Sequence, residues 1–165
     1  MRRCIILFML VFIFMPLPSH AFDYNNWIPL LPDTIAGLNK QGDPDGMNME
    51  RDGESWSALK QQYADAAGND IELSIVTGSN APGIKQFESM QQFSVETAER
   101  KVDTLEISGY KSILNLDKTG GKSSLLIAVR DQTLVIFETA SFDSENSLVS
   151  LADDVALSEI ENAIE

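Results

Sequence analysis

The sequence predicts an α+β fold: an antiparallel sheet of about six strands packed against helices in a single domain. Three observations lead there. Short segments with period-two apolar patterning are joined by turn-forming stretches too brief for anything but antiparallel pairing. One apolar stripe at helical spacing falls between two groups of such segments. Weaker helical faces then close the chain.

Residues 1–21 have the three parts of a cleavable export signal in order. Arg2 and Arg3 precede an apolar run over residues 5–15, and Ser19-His20-Ala21 follows Pro16 and Pro18 as a small-residue cleavage site that would leave Phe22 first. The apolar run is shorter than the ~20 residues that span a bilayer, so it reads as a leader and not as an anchor. Cys4 stands ahead of that run, where no lipidation box presents it. No later stretch is long and apolar enough to cross a membrane. The expected location is the periplasm, or outside the cell.

That leader holds the only cysteine, Cys4, and the only histidine, His20. The remaining chain therefore forms no disulfide, builds no Cys/His zinc site, and offers neither a cysteine nucleophile nor a histidine base. Of 165 residues, removal of the 21-residue leader leaves 144, about one ordinary domain. The formal charge moves from −13 to −15 as Arg2 and Arg3 leave. Such a surface repels nucleic acid and anionic lipid, and favours solubility over a dedicated acidic docking face. No cofactor is expected.

Residues 22–54 are expected to be an irregular apolar arm and a turn-rich loop, ahead of an α+β domain over residues 55–165. The arm, residues 22–38, is rich in Trp, Ile and Leu but broken by proline. Residues 39–54 collect Gly42, Asp43-Pro44-Asp45-Gly46 and Asp52-Gly53, all turn chemistry, and suggest a loop or a loose hairpin. Residues 55–64 alternate weakly around Trp56 and Ala58, whereas residues 71–77 place Ile71, Leu73 and Ile75 on one face. Gly68-Asn69 supplies the positive φ angles of a tight turn, so residues 56–76 read as a β-hairpin. Asn80 as N-cap and Pro82 in the first turn then introduce a helix to about residue 100, its buried stripe being Ile84, Phe87, Met90 and Phe93.

Four strands follow, over residues 102–107, 110–116, 123–130 and 133–140, separated by Ser108-Gly109, a turn over residues 118–122, and Asp131-Gln132. Residues 125–129 and 134–137 are nearly continuous apolar runs, which fits central strands covered on both faces. Asp143 or Ser144 can cap a helical face of Leu148, Leu151 and Val155. Ser158 with Glu161 forms a capping-box pattern for a last short helix docked by Ile160 and Ile164.

Few patterns carry chemistry. Thr119-Gly120-Gly121-Lys122-Ser123 ends like a phosphate loop but lacks its first glycine, the position being Leu116, and leads into a strand; it reads as a hairpin turn. Asp43, Asp45 and Glu54 occupy positions 1, 3 and 12 of a calcium-loop template, but Met47 and Asn48 stand at positions 5 and 6, where an oxygen ligand and glycine are wanted. Those three acids are candidate calcium ligands beside the simpler reading of an acidic loop. Catalysis would need a Ser–Lys pair or two carboxylates. No Gly-x-Ser-x-Gly elbow is present, and Asp153-Asp154 would point apart on a helix. Tyr24 and Trp27 are candidate binding residues for a partner, unless the arm buries them.

Leu31-Pro32 with Gly37, Trp56 with Tyr63, Ser108-Gly109-Tyr110, and Leu157-Ser158-Glu159-Ile160-Glu161 together resemble a loose set of small proteins exported by Gram-negative bacteria. The layout is also similar to PsbP-like domains, whose antiparallel sheet is flanked by helices and which often act as accessory or assembly factors. The resemblance implies location and fold, and transfers no functional residue.

The reading is therefore an exported, non-catalytic binding or accessory module that acts through protein contacts. The alternatives are a carrier of a small apolar ligand between the sheet and the helix bearing Ile84 to Phe93, and a hydrolase using Ser and Lys.

Overall fold

Alternation of apolar and polar side chains is the dominant pattern after residue 54, and the chain follows it into strands. The computed structural model describes residues 22–51 and 53–164. The expected export signal at residues 1–21 and Asp52 of the expected Asp52-Gly53 turn lie outside the described residues. Among the described residues there are nine strands: β1 (Thr34–Ile35), β2 (Leu38–Arg51), β3 (Glu54–Ala64), β4 (Asp70–Thr77), β5 (Val95–Glu96), β6 (Arg100–Ile107), β7 (Tyr110–Asp117), β8 (Ser123–Arg130) and β9 (Thr133–Thr139). All pair antiparallel in one sheet of order β1-β2-β3-β4-β9-β8-β7-β6-β5.

This overturns the α+β expectation with its sheet of about six strands: the fold is mostly β, with three short α-helices and two 3-10 helices as accessories among the described residues. The largest difference is β2. Its glycines, aspartates and Pro44 suggested a loop, yet residues 38–51 form a strand near the sheet edge. The register of β2 against β3 breaks between Gln41 and Asp45, so Gly42 and Pro44 fall in a bulge, where a missing N–H and a positive φ do no harm. Buried Gln61 holds the bulge by donating from Nε2 to the Gln41 carbonyl at 2.8 Å.

The second difference is the helix α1, which spans only Ile84–Met90 instead of running to about residue 100. Its N-cap is Gly83 in the left-handed region, not Asn80, and no side chain caps it. Residues beyond it turn and pair as β5 with β6, Val95 opposite Val102. Phe93 consequently leaves the stripe and is 50% exposed, while Ile84 and Phe87 are buried.

The hairpin β3–β4 and the meander β6–β9 follow the sequence reading closely. The join the sequence did not disclose is β4 with β9, more than fifty residues apart, which fuses the two meanders into one sheet. Its first face carries the main core, with Leu59, Leu73, Ile75, Leu125, Ile127, Val135 and Phe137 buried. The arm closes one part of that face through a 3-10 helix, Tyr24–Leu30, and the C-terminal helices α2 (Glu145–Ser150) and α3 (Leu157–Asn162), with the 3-10 turn Leu151–Asp154, close the other. Ser144 caps α2 through its hydroxyl, whereas Ser158 lies inside α3, whose N-cap is Ala156. The second face is covered only by α1, over Val76, Ile113, Leu126 and Leu134.

Candidate functional site

The cross-strand register sorts the second face into rows. One row runs Met47, Ala58, Val76 and Leu134; the next runs Asp45, Lys60, Ser74, Ile136 and Leu126; a third runs Gln62, Glu72, Glu138 and Ser124. Polarity therefore rises along the strands, from an apolar end near Trp56 to a charged end at Glu72 and Glu138. Because α1 is only seven residues long, it roofs part of this face and leaves a cavity of about 420 Å³ beside itself. Pro82, Gly83 and Gln86 form the roof edge; Trp56, Ala58, Val76, Leu126 and Ile136 form the apolar floor, and Asp45, Lys60, Glu72, Ser74 and Glu138 the polar end.

Glu72 organises that polar end. It accepts from Lys60 Nζ at 2.7 Å, from Gln62 Nε2 at 2.6 Å and, at 3.4 Å, from the buried Ser74 hydroxyl. The Glu72 carboxylate raises the Lys60 pKa above its ordinary value, chiefly through this hydrogen bond, against the opposing pull of partial burial. Lys60 is thus held as an ammonium. Glu138 stands directly opposite Glu72 on the neighbouring strand, a like-charge pairing that costs stability in a sheet. The cation nearest to Glu138, Lys122, lies 3.9 Å away with a side chain 77% exposed, so it compensates weakly.

The arm sits on the opposite face. Trp27 is fully buried, its ring against Phe22 with centroids 4.3 Å apart. Tyr24 is half-buried and lies on Gly46, where a Cβ would collide with the phenol ring. Asp23 caps the 3-10 helix by accepting from the Asn25 backbone N–H at 3.1 Å and from Asn48 Nδ2 at 3.0 Å. The candidate binding residues Tyr24 and Trp27 therefore serve the fold first, and Trp27 presents no surface.

The candidate calcium ligands are spread along the β2–β3 hairpin. Asp43 is in the bulge, Asp45 faces Lys60, and Glu54 begins β3, where it accepts from the Asn80 side chain. Between the Lys60 and Glu54 positions lies roughly 20 Å of strand. No cluster of three acids, histidines or cysteines suited to a metal ion occurs among the described residues. The Gly-Lys-Ser stretch belongs to the β7–β8 turn, where Asp117 accepts from the Thr119 N–H at 2.8 Å and the Gly121 N–H at 3.0 Å, so these amides are turned to the protein's own carboxylate.

Lys60, Glu72, Ser74 and Glu138 were not singled out from the sequence. The available signal was Glu72 and Ser74 interleaved with Ile71, Leu73 and Ile75, with Lys60 and Glu138 as lone polar residues in other strands, all of which reads as a solvated face. Only the register that brings five strands and α1 around them makes them a wall. No helix among the described residues is long and apolar enough to cross a membrane. In comparisons with known proteins, no family model, no curated protein and no solved structure gives a significant match to the chain.

Proposed function

We propose that the protein is an exported, non-catalytic binding module that carries a small, largely apolar molecule in the cavity between the sheet and α1. The observation that carries this reading is the cavity itself, about 420 Å³ with a continuous apolar floor and a polar end, the size and make-up of a small-molecule site. It lies on the side of the sheet that the arm and the C-terminal helices leave uncovered. Export rests on the leader pattern of residues 1–21 and on the resemblance to small exported proteins carried by the residues named above.

Protein contact through the arm, the other reading, is less well supported because Trp27 is buried in the main core. For the Ser–Lys hydrolase reading, Lys60 and Ser74 are a pair that the register places opposite each other on β3 and β4. A Ser–Lys base must be neutral, and Glu72 works in the opposite direction by keeping Lys60 protonated.

Purification under non-denaturing conditions followed by mass spectrometry tests the carrier reading. A small molecule should accompany the protein and leave it on denaturation. Ala58→Phe, which fills the apolar floor, should abolish the adduct while the protein still folds. An apo mass for the native protein, together with no binding of added apolar probes, would sink the reading.

A further inference from the structure

Resting on the carrier reading, we propose that the ligand class is an amphipathic organic cation: an apolar body on the Trp56–Val76 floor with an ammonium head between Glu72 and Glu138. The charge of the wall argues for it. Among the lining residues Asp45, Glu72 and Glu138 face Lys60 alone, and the exposed Lys122 outside the lining reaches only Glu138, at 3.9 Å; carboxylates therefore stay in excess, and a carboxylate or phosphate ligand would add to that excess. Geometry narrows the place. Glu72 spends both oxygens on Lys60 and Gln62, whereas Glu138, directly across the strand pair, has only the exposed Lys122 at 3.9 Å. An added ammonium at that point relieves the Glu72–Glu138 repulsion and completes the hydrogen bonding of Glu138. The buried Ser74 hydroxyl, with a single long bond to Glu72 at 3.4 Å, supplies an acceptor beside the head.

The apolar half of the cavity makes this a site for an amphiphile and not for a bare metal ion. The floor residues continue without a break from the edge of α1 to the first charged row, so body and head are read on one surface, with distance along the strands setting their separation.

The test is isothermal titration calorimetry of the purified protein with three probes that share a decyl chain: decylamine, decanol and decanoate, each kept below its aggregation threshold at neutral pH. Decylamine should bind about tenfold more tightly than decanol, the worth of one charge-assisted hydrogen bond in a half-open site, and decanoate more weakly than either. Glu138→Gln keeps the shape and should bring decylamine to about the decanol affinity, while leaving decanol unchanged as proof of an intact cavity. Decanoate or decanol binding as tightly as decylamine, or an amine preference that survives Glu138→Gln, would overturn the cation while the cavity stands. Failure of all three to bind would overturn the cavity reading as well.

Discussion

Asp117 does with one carboxylate what the glycine-rich turn after it cannot do alone. It accepts from the Thr119 hydroxyl at 2.7 Å and from the amides of Thr119 and Gly121, and these bonds, the Thr119 hydroxyl first, hold its pKa below the ordinary aspartate value. A group whose folded pKa is depressed adds stability above its unfolded pKa, about 3.9 for aspartate, and loses it as pH falls through the lower folded value. Asp117→Ala should therefore lower the melting temperature at neutral pH, and the gap to the unmodified protein should close as pH drops below about 4. A gap undiminished at about pH 2 would mean that packing, and not the ionised carboxylate, was lost. Asp23 and Asp65 shift the same way, for Asn48 and Asn69 respectively, so acid lability of the turns should be shared. Gly46 makes the complementary point about side chains that must be absent. Its place in the sequence, after Asp43-Pro44-Asp45, looks like turn chemistry, but its role is to admit the Tyr24 ring.

Among the elements, α1 is the one whose behaviour the candidate site depends on. Ile84, Phe87, Met90 and Phe93 satisfy helical spacing equally well, yet the helix ends at Met90. The pairing of Val95 with Val102 gives the following residues a better use for their backbone groups than another uncapped turn would. Phe87 is buried against the sheet and its N–H bonds the Gly83 carbonyl at 2.8 Å, while Phe93 is half exposed. Phe87→Ala should cost about 3 kcal/mol in urea unfolding, the lower part of the range for a buried aromatic because α1 sits at an open face. Phe93→Ala should change stability by less than about 0.5 kcal/mol. Equal costs would mean that the helix continues through Phe93. β2 illustrates the reverse error. An edge location and a bulge let a strand carry Gly42, Pro44 and Gly46, residues that would veto a central one.

For the whole molecule, the join of β4 to β9 has consequences for dynamics. Each meander is local, but the sheet becomes one body only when strands on either side of α1 meet, with Thr77 and Thr133 hydroxyls 2.7 Å apart at one end. Hydrogen exchange should be slowest in β4, β9 and β8, whose buried residues lie on both faces, and fastest in β5 and in β2 beyond the bulge, which have a free edge. Uniform protection across the sheet would show that the edges are covered by something else, and would argue for association through them. The open second face belongs to the same architecture: the arm and the C-terminal helices divide the first face between them, and one short helix lies over the second.

The local half of this was legible in residues. Alternation around Ile71, the apolar runs from Leu125 and Leu134, the Gly68-Asn69 turn and a cap at Asp143 or Ser144 announced strands, hairpin and helix start, because each depends on neighbours within a few positions. The absence of cysteine and histidine after residue 21 likewise narrowed the chemistry without any coordinates. The number of strands, the end of α1 and the cavity were not legible, since they depend on which strand edge is free to pair and on what stands across it. Glu72 and Glu138 have the same local setting as any solvated carboxylate on a strand. Pairing across more than sixty residues of chain sets them face to face, and turns two ordinary surface acids into the polar end of a cavity.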